Sequence, residues 1–391
     1  MLVERNRSFV KQKVARATWL RRPRYRASRG LILSDDMDTH VVGRRVVQPA
    51  FRSERIASYG ALVVEEAVRA RSRWRDGATV DVEREMALLA LNAIGRALFS
   101  AELEDEAAEI NSEIQALLDP FPIATARALD LLESIHLRRG LRFVRAYSRL
   151  QERMGELVAR AGAGGRADDI PALLTKAARA REGISDEQLP FEALGIFLAG
   201  AETTAASLTW TWYLLGRDPH AERRLHEELD SALAGRLPDS DDIASLPFAR
   251  MVVAESVRLY PPSWFIGRRA IADVEVMGRS IPAGSIVLLS AYVVQRDPRW
   301  FPDPERFDPD RWAEGAQATR PRFAYFPFGG GPRQCIGERL AWLEGVLVLA
   351  AIGQEWRLRP VGTWGAEPSA VASLRPRGGL PMAAERRPAD G

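Results

Sequence analysis

Cysteine is almost missing from this 391-residue chain, in which Cys335 stands alone. A single cysteine excludes an internal disulfide, a cysteine-built structural zinc site and an iron–sulfur cluster, which takes about four thiolate ligands. It fits a reducing compartment, and the expected location is cytoplasmic. Lysine is scarce too: only Lys11, Lys13 and Lys176 occur, so 52 of the 55 basic residues are arginine. The net charge is +3. That is close to neutral, and no polybasic run points to nucleic acid. Long apolar runs are also missing. Met1–Leu20 carries six charged residues, which excludes a signal peptide or an N-terminal membrane anchor. The longest apolar runs, such as Gly345–Gly353, are too short to span a bilayer.

What is present is an ordinary globular composition, 46% hydrophobic and 27% charged, with ample material for a core. There is no internal repeat and no clear inter-domain linker, so the length reads as one large domain. Apolar residues recur at three- and four-residue spacing through Arg52–Arg75, Val82–Leu98, Ala107–Leu118 and Leu141–Ala159, which predicts helices. Ser185-Asp-Glu-Gln188 is a capping-box pattern that opens a long apolar helix, Leu189–Leu215. Further helices are expected at His220–Leu233 and Ala249–Tyr260. Val274–Met277 and Ser285–Ser290 read as a hairpin, and short strands are expected at Arg357–Arg359 and Ala372–Leu374. The fold class is therefore mainly α with a small β region. The loop Ala161–Gly165 and the tail Ala384–Gly391 read as its least ordered parts.

The lone cysteine sits in Phe328-Gly-Gly-Gly-Pro-Arg-Gln-Cys-Ile-Gly337, where a glycine-rich loop runs into an apolar helix expected at Cys335–Ile352. A helix N-terminus and the nearby Arg333 both favour thiolate, and glycines let backbone approach a ligand closely. The loop lacks the Lys-Ser/Thr of a phosphate-binding loop and does not fit Gly-x-Gly-x-x-Gly. None of the four histidines (His40, His136, His220, His226) stands in a catalytic cysteine signature. A metal-bound thiolate fits these residues best.

Phe328, Gly331, Arg333, Cys335 and Gly337 occupy the fixed positions of a pattern that resembles the haem-binding signature of the cytochrome P450 family, the haem-thiolate monooxygenases. Four more features resemble that family and stand in its order. Glu255-Ser-Val-Arg258 resembles its Glu-x-x-Arg motif, with Arg306 of Pro304-Glu-Arg-Phe307 completing a structural triad. Ala199-Gly-Ala-Glu-Thr-Thr204 resembles its acid–threonine pair, here Glu202 and Thr203. His40-x-x-x-Arg44 and Arg268, or its neighbour Arg269, resemble residues that reach the haem propionates, with Arg333 a third candidate. Thr203 and Cys335 are 132 residues apart, and Glu255 and Cys335 are 80 apart.

The resemblance implies a P450 domain over residues 1–383, haem b as cofactor and Cys335 as the axial ligand of its iron. It also implies an enzyme that inserts one atom of dioxygen into a lipophilic substrate, terpenoid or fatty-acid-like. Electrons would come from a separate ferredoxin or flavodoxin type donor, since the chain has no flavin or nicotinamide motif. The segments expected over the haem offer Leu31, Ile32, Phe197, Leu198, Ala199, Trp264, Phe265 and Ile266. Arg320, Arg322 and Arg339 are candidates for a basic docking face. The chain is expected to be a monomer. The intact acid–threonine pair ranks two other readings lower: a peroxygenase or isomerase needing no redox partner, and a non-catalytic haem sensor. One feature departs from the family: only 39 residues precede His40. The usual first helix and first strands are expected to be missing, leaving an unpaired sheet edge near Ser285–Ser290, and the natural chain is expected to extend upstream.

Overall fold

The helical periodicity of the first two-thirds folds as a succession of helices, seen in a computed structural model that describes residues 8–11, 34, 36–118, 137–161, 166–180, 184–316, 319–362 and 365–388. A short strand, β1 (Phe9–Lys11), precedes α1 (Met37–Val47) and α2 (Ser53–Arg71). Strand β2 (Ala78–Asp81) leads into α3 (Val82–Phe99), α4 (Ala107–Leu118), α5 (Leu137–Ala161) and α6 (Ile170–Arg179). The long helix α7 (Leu189–Arg217) follows, then α8 (Pro219–Leu233) and α9 (Pro247–Leu259). Next come β3 (Phe265–Ala270), β4 (Val274–Val276), β5 (Arg279–Ile281), β6 (Ile286–Ser290) and the single turn α10 (Ala291–Val294). The chain ends with α11 (Glu338–Gly353), β7 (Trp356–Pro360), β8 (Pro368–Ala370), β9 (Leu374–Pro376) and β10 (Pro381–Arg386).

The helix starts are written in the sequence. Asp36, Asp169 and Asp218 cap α1, α6 and α8 by accepting backbone N–H bonds from Thr39, Ala172 and Ala221 at 2.8, 2.9 and 3.0 Å. Pro171, Pro190, Pro219 and Pro247 stand in first turns, where no N–H is needed. At the predicted capping box the Ser185 N–H donates to Gln188 Oε1 at 2.9 Å, and α7 begins one residue later. Only Glu192, Glu202 and Arg217 are charged within α7. It runs through the middle of the core, with Phe197 and Trp210 fully buried, as a helix apolar on nearly all sides must. Helix α3 packs along it. A Cβ on Gly200 would meet Ile94 Cδ1 at 2.9 Å, so this glycine is set by helix–helix approach. The small residues around it do not break the helix: α7 is continuous.

Strand β3 lies between β1 and β6, and β10 between β2 and β7, while β4–β5 and β8–β9 are hairpins. The predicted hairpin has a different partner. Val274 pairs with Ile281 across Met277 and Gly278, both at positive φ (51° and 74°), the backbone a two-residue hairpin loop demands. Ile286–Ser290 pairs instead with β3. The early strands are not all missing, since Phe9 pairs opposite Ala270. Among the described residues β6 does have a bare edge, with Ile286 and Leu288 more than half exposed. The tail is also corrected. Ala384–Arg386 belong to β10, where Met382 and Ala384 are fully buried, because this strand joins β2 to β7. Residues 162–165 and 389–391 lie outside the described residues. Among the described residues no helix is long and apolar enough to cross a membrane.

One buried ion pair holds the long segment that leads to the cysteine. Glu255 and Arg258, one turn apart on α9, are both 0% exposed. Arg258 Nη2 and Nε donate to the two oxygens of Glu255 at 2.7 Å each. The same guanidinium donates to the carbonyls of Gln295, Pro304 and Arg306 at 2.9, 2.7 and 3.1 Å. Glu255 also accepts from the Asp308 N–H and from Trp312 Nε1 at 3.0 and 2.9 Å. The expected third member is wrong. Arg306 contributes its backbone carbonyl while its side chain is exposed, and the second cation beside Glu255 is Arg311, whose Nε lies 3.4 Å from Oε1. Arg258→Ala leaves a buried carboxylate without its partner and should cost about 3–5 kcal/mol of unfolding free energy. Arg306→Ala should stay within about 0.5 kcal/mol, with Arg311→Ala between them. Denaturant melts of the three variants check the ranking.

Candidate functional site

The glycine-rich loop ends beneath α7 and faces an internal cavity of about 450 Å³. Gly329 and Gly331 adopt positive φ, 72° and 69°, which other residues take only at a cost. These turns let the Cys335 N–H reach back to the Phe328 carbonyl at 2.9 Å. The Phe328 ring rests on Trp342 of α11, with centroids 5.5 Å apart. Helix α11 starts at Glu338, three residues later than expected. Cys335 therefore sits in the turn before the helix, with its side chain open to the cavity. Burial pushes the Cys335 thiol up; the Gly337 N–H and, after the Glu338 charge, Arg44 pull it back in part.

Four basic side chains line the cavity: His40, Arg44, Arg268 and Arg333. Helix α1 brings two of them to the cysteine loop, where His40 Nε2 lies 3.2 Å from the Pro332 carbonyl and Arg44 Nη1 donates to the Gln334 carbonyl at 2.6 Å. Arg268 projects from β3 into the cavity, whereas the neighbouring Arg269 is exposed. Burial and then the charge of Arg333 push the Arg268 guanidinium below its usual value. Gly337 also lines the cavity, while Gly331 serves the loop turn behind it.

Helix α7 supplies the opposite wall through Ile196, Ala199, Gly200 and Thr203. Thr203 Oγ1 donates to the Ala199 carbonyl at 2.6 Å. Glu202 is not brought to the cavity: it accepts from Ser373 Oγ at 2.5 Å on the far side of α7. The predicted apolar lining is partly corrected. Ala199, Phe265 and Ile266 do line the cavity. Phe197 points into the core against Phe99, at 5.3 Å edge to face, and Leu198 packs against the main core. Trp264 is turned to the Val371 carbonyl, to which its Nε1 donates at 3.1 Å. The cavity face of α7 is Ile196, Ala199, Gly200, Thr203, Thr204, Ser207 and Leu208, at three- and four-residue spacing, and Phe197 and Leu198 fall outside it. Leu31 and Ile32 lie outside the described residues. Ile94 and Leu98 of α3 complete the apolar wall. Of the arginines proposed for docking, Arg320 is held over Phe301 and Trp312.

A polar pair on the cavity wall had no recognisable sequence signal. Thr204 Oγ1 donates to Glu344 Oε2 at 3.0 Å, joining α7 to α11. Glu344 is 2% exposed and its Oε1 has no partner. Burial, only partly opposed by Thr204, pushes its carboxyl up to about 8. It reads in sequence as one acid in an apolar helix, and only the crossing of two helices shows that it is enclosed.

The family model for cytochrome P450 matches residues 2–373. The chain belongs to the cytochrome P450 family. It is 40% identical over 341 residues to "Cyclooctatin synthase" of Streptomyces melanosporofaciens, covering 85% of this chain and 73% of that protein. It is 36% identical to "Cyclooctat-9-en-7-ol 5-monooxygenase" of the same organism, over 83% and 72% of the two chains. With "Pentalenene oxygenase" of Streptomyces avermitilis it shares 32% identity over 89% and 78%. Among solved structures the P450DA haem domain superposes with a TM-score of 0.83 at 25% identity, covering 99% of this chain and 86% of that one.

As a cytochrome P450 the protein is an oxidoreductase whose cofactor is haem b. The residues present fit that group. Among the described residues no cluster of three His, Cys, Asp or Glu side chains could hold a metal ion. The cavity offers one thiol, apolar walls and four basic side chains. The mutual repulsion of Arg268 and Arg333 marks a place where negative charge is wanted. A flat, apolar cofactor bearing two carboxylates satisfies each of these. Glu344 gives a test of the cavity wall. Its carboxyl holds a proton in the fold up to about 8 against an ordinary 4.5, so the folded state binds the extra proton. Its contribution to stability should therefore fall as pH rises from about 4.5 to about 8, by at most ~1.4 kcal/mol per pH unit. Thermal melts across this range should show Glu344→Gln gaining on the wild type as pH rises.

Proposed function

We propose that this P450 is a monooxygenase that inserts one oxygen atom of dioxygen into a lipophilic terpenoid, with electrons delivered by a separate ferredoxin or flavodoxin type partner. The observation that carries the reading is that the only cysteine and Thr203 line one apolar cavity from two different elements. Relatives named for oxygenating cyclooctat-9-en-7-ol and pentalenene support a terpenoid substrate. The walls agree: Ile94, Leu98, Ile196, Leu208, Phe265 and Ile266 offer surface without a charged anchor, which suits a ligand bound by exclusion of water.

Bound haem would supply the redox chemistry of iron that a monooxygenase needs. Cys335 Sγ would ligate the iron, and the Gly337 N–H bonded to that sulfur would temper how much electron density it donates. His40, Arg44, Arg268 and Arg333 would hold the two carboxylates. Thr203 is the proton-handling hydroxyl on the opposite side. Its hydrogen bond to the Ala199 carbonyl parks the donor, and rotation about χ1 turns it toward the cavity. Glu202, immediately before it, renews the proton from outside the cavity.

Cys335→Ala should abolish the thiolate signature in the reduced, carbon monoxide-bound spectrum, and survival of that signature would overturn the ligand assignment. Thr203→Ala should lower product formation by on the order of 10²-fold, as loss of a positioned acid–base group does, while oxygen is still consumed and peroxide is released. Polycyclic terpenoids should shift the haem spectrum on titration at concentrations where charged ligands of similar size do not.

A further inference from the structure

A second cavity, of about 400 Å³, lies apart from the one that Cys335 faces, and the two share no lining residue. Helix α3 separates them: Leu98 lines the first and Phe99 the second. The second cavity forms where four helix ends meet. Helix α3 stops at Phe99, where Ser100 takes a left-handed φ of 51° and the Ala101 N–H turns back to the Gly95 carbonyl at 3.0 Å. Around that end stand the start of α4, the last turns of α5 and the start of α6. The walls are apolar: Phe99, Leu103, Ile110, Met154 and Leu157, all but Leu157 buried. The rim is charged. Glu106 pairs with Arg153, which also donates to Glu109 at 2.7 Å. Arg160 donates to Glu156 at 3.4 Å, and Glu102 accepts from Arg96 at 3.1 Å.

The floor holds a group that the fold leaves unsatisfied. Asp169 lines the cavity and is 1% exposed. Its Oδ1 caps α6 by accepting the Ala172 N–H at 2.9 Å. Its Oδ2 is buried and has no hydrogen-bond partner, which is costly for a carboxylate oxygen. The cations beside it are committed elsewhere. Arg55 pairs with Asp168 at 2.7 Å, and Arg166 donates to the Arg96 and Ala97 carbonyls at 3.0 and 2.6 Å. Arg166 thereby ties the turn before α6 to the end of α3. The Asp169 N–H donates to the Arg166 carbonyl at 3.2 Å, so the carboxylate is fixed at the cavity floor.

We propose that this cavity is a second ligand site, which takes an organic cation with an apolar body and an ammonium head, the head donating to Asp169 Oδ2. The lining carries four acids, Glu102, Glu106, Glu156 and Asp169, against two arginines, Arg153 and Arg160. Both arginines are already engaged by acids, so the surplus of negative charge favours a cation over a neutral hydroxyl and repels an anion. The apolar walls cover the body of the ligand. The site needs nothing from the haem cavity, and it stands or falls independently of the monooxygenase reading.

Heptylammonium, titrated calorimetrically into the reduced, carbon monoxide-bound holoenzyme, tests the site, because the iron is then closed to the amine. One equivalent should bind per chain, and the Met154 methyl signal should shift in NMR spectra. Heptanol should bind more weakly by about tenfold or more, and heptanoate should not bind. Asp169→Asn keeps an oxygen to cap α6. It should hold the wild-type carbon monoxide spectrum and melting temperature while weakening heptylammonium by about tenfold or more. Leu157→Phe, which fills the cavity and leaves the cap untouched, should weaken it too. Wild-type affinity in Asp169→Asn, or a Met154 signal that does not respond, overturns the site. Heptanol binding as tightly as heptylammonium overturns the ammonium head. Should Asp169→Asn fail to fold, Leu157→Phe and the Met154 signal decide: unchanged affinity in Leu157→Phe then overturns the site.

Discussion

The pairing of Glu255 with Arg258 is the constraint on which the placement of the cysteine depends. Neither side chain touches the cavity. Both are withdrawn from water within one turn of α9, and a buried pair is tolerated only when every remaining donor and acceptor is used. That requirement organises the chain beyond it. Arg258 takes three carbonyls of residues 295–306, and Glu255 takes the backbone N–H of Asp308 and the indole of Trp312. Gln295, fully buried, continues the chain of bonds by accepting from the Phe326 N–H at 3.1 Å. A stretch rich in proline and aspartate, whose backbone is otherwise held only by short turns and one 3-10 turn at Pro309–Trp312, is thereby tied along its path to Phe326 and the loop that carries Cys335.

The cavity follows from two opposed demands. Its walls are apolar, contributed by α3, α7 and β3, yet basic side chains converge on it from α1, β3 and the cysteine loop. Cations facing one another in low dielectric are costly, and Arg268 registers that cost in a lowered affinity for its proton. An anionic cofactor removes the conflict. The same division separates the two acids closest to α7. Glu344 is buried between helices at the cavity wall, where burial raises its carboxyl's hold on a proton, while Glu202 lies outside the cavity with Ser373 and Arg375. Adjacent threonines on one helix thus serve different partners: Thr203 faces the cavity, and Thr204 is tied to Glu344.

Much of the fold was legible because its signals are local. The apolar period, the capping aspartates and the first-turn prolines located most helices to within a few residues, and the spacing around Cys335 identified the family. The errors share one cause. Arg306 was chosen by motif, but a backbone carbonyl fills that position and Arg311 supplies the charge. Ser285–Ser290 was paired with its nearest strand in sequence, but β3 from the other direction offered the ladder. Phe197 and Leu198 were taken with Ala199 as one lining segment, although helical rotation turns them into the core. Each depends on contacts between elements that local spacing does not encode.

The sequence by itself determined that this chain is a helical, haem-thiolate type of protein with a single candidate axial ligand and a threonine opposite it, because those features are carried by residue type at fixed local spacing. Tertiary structure alone decided which cations face the cavity, which arginine completes the Glu255 pair, and where the acids near α7 point. Burial and charge pairing are properties of several elements at once. A glutamate's hold on its proton is set by the neighbours far along the chain that close around it.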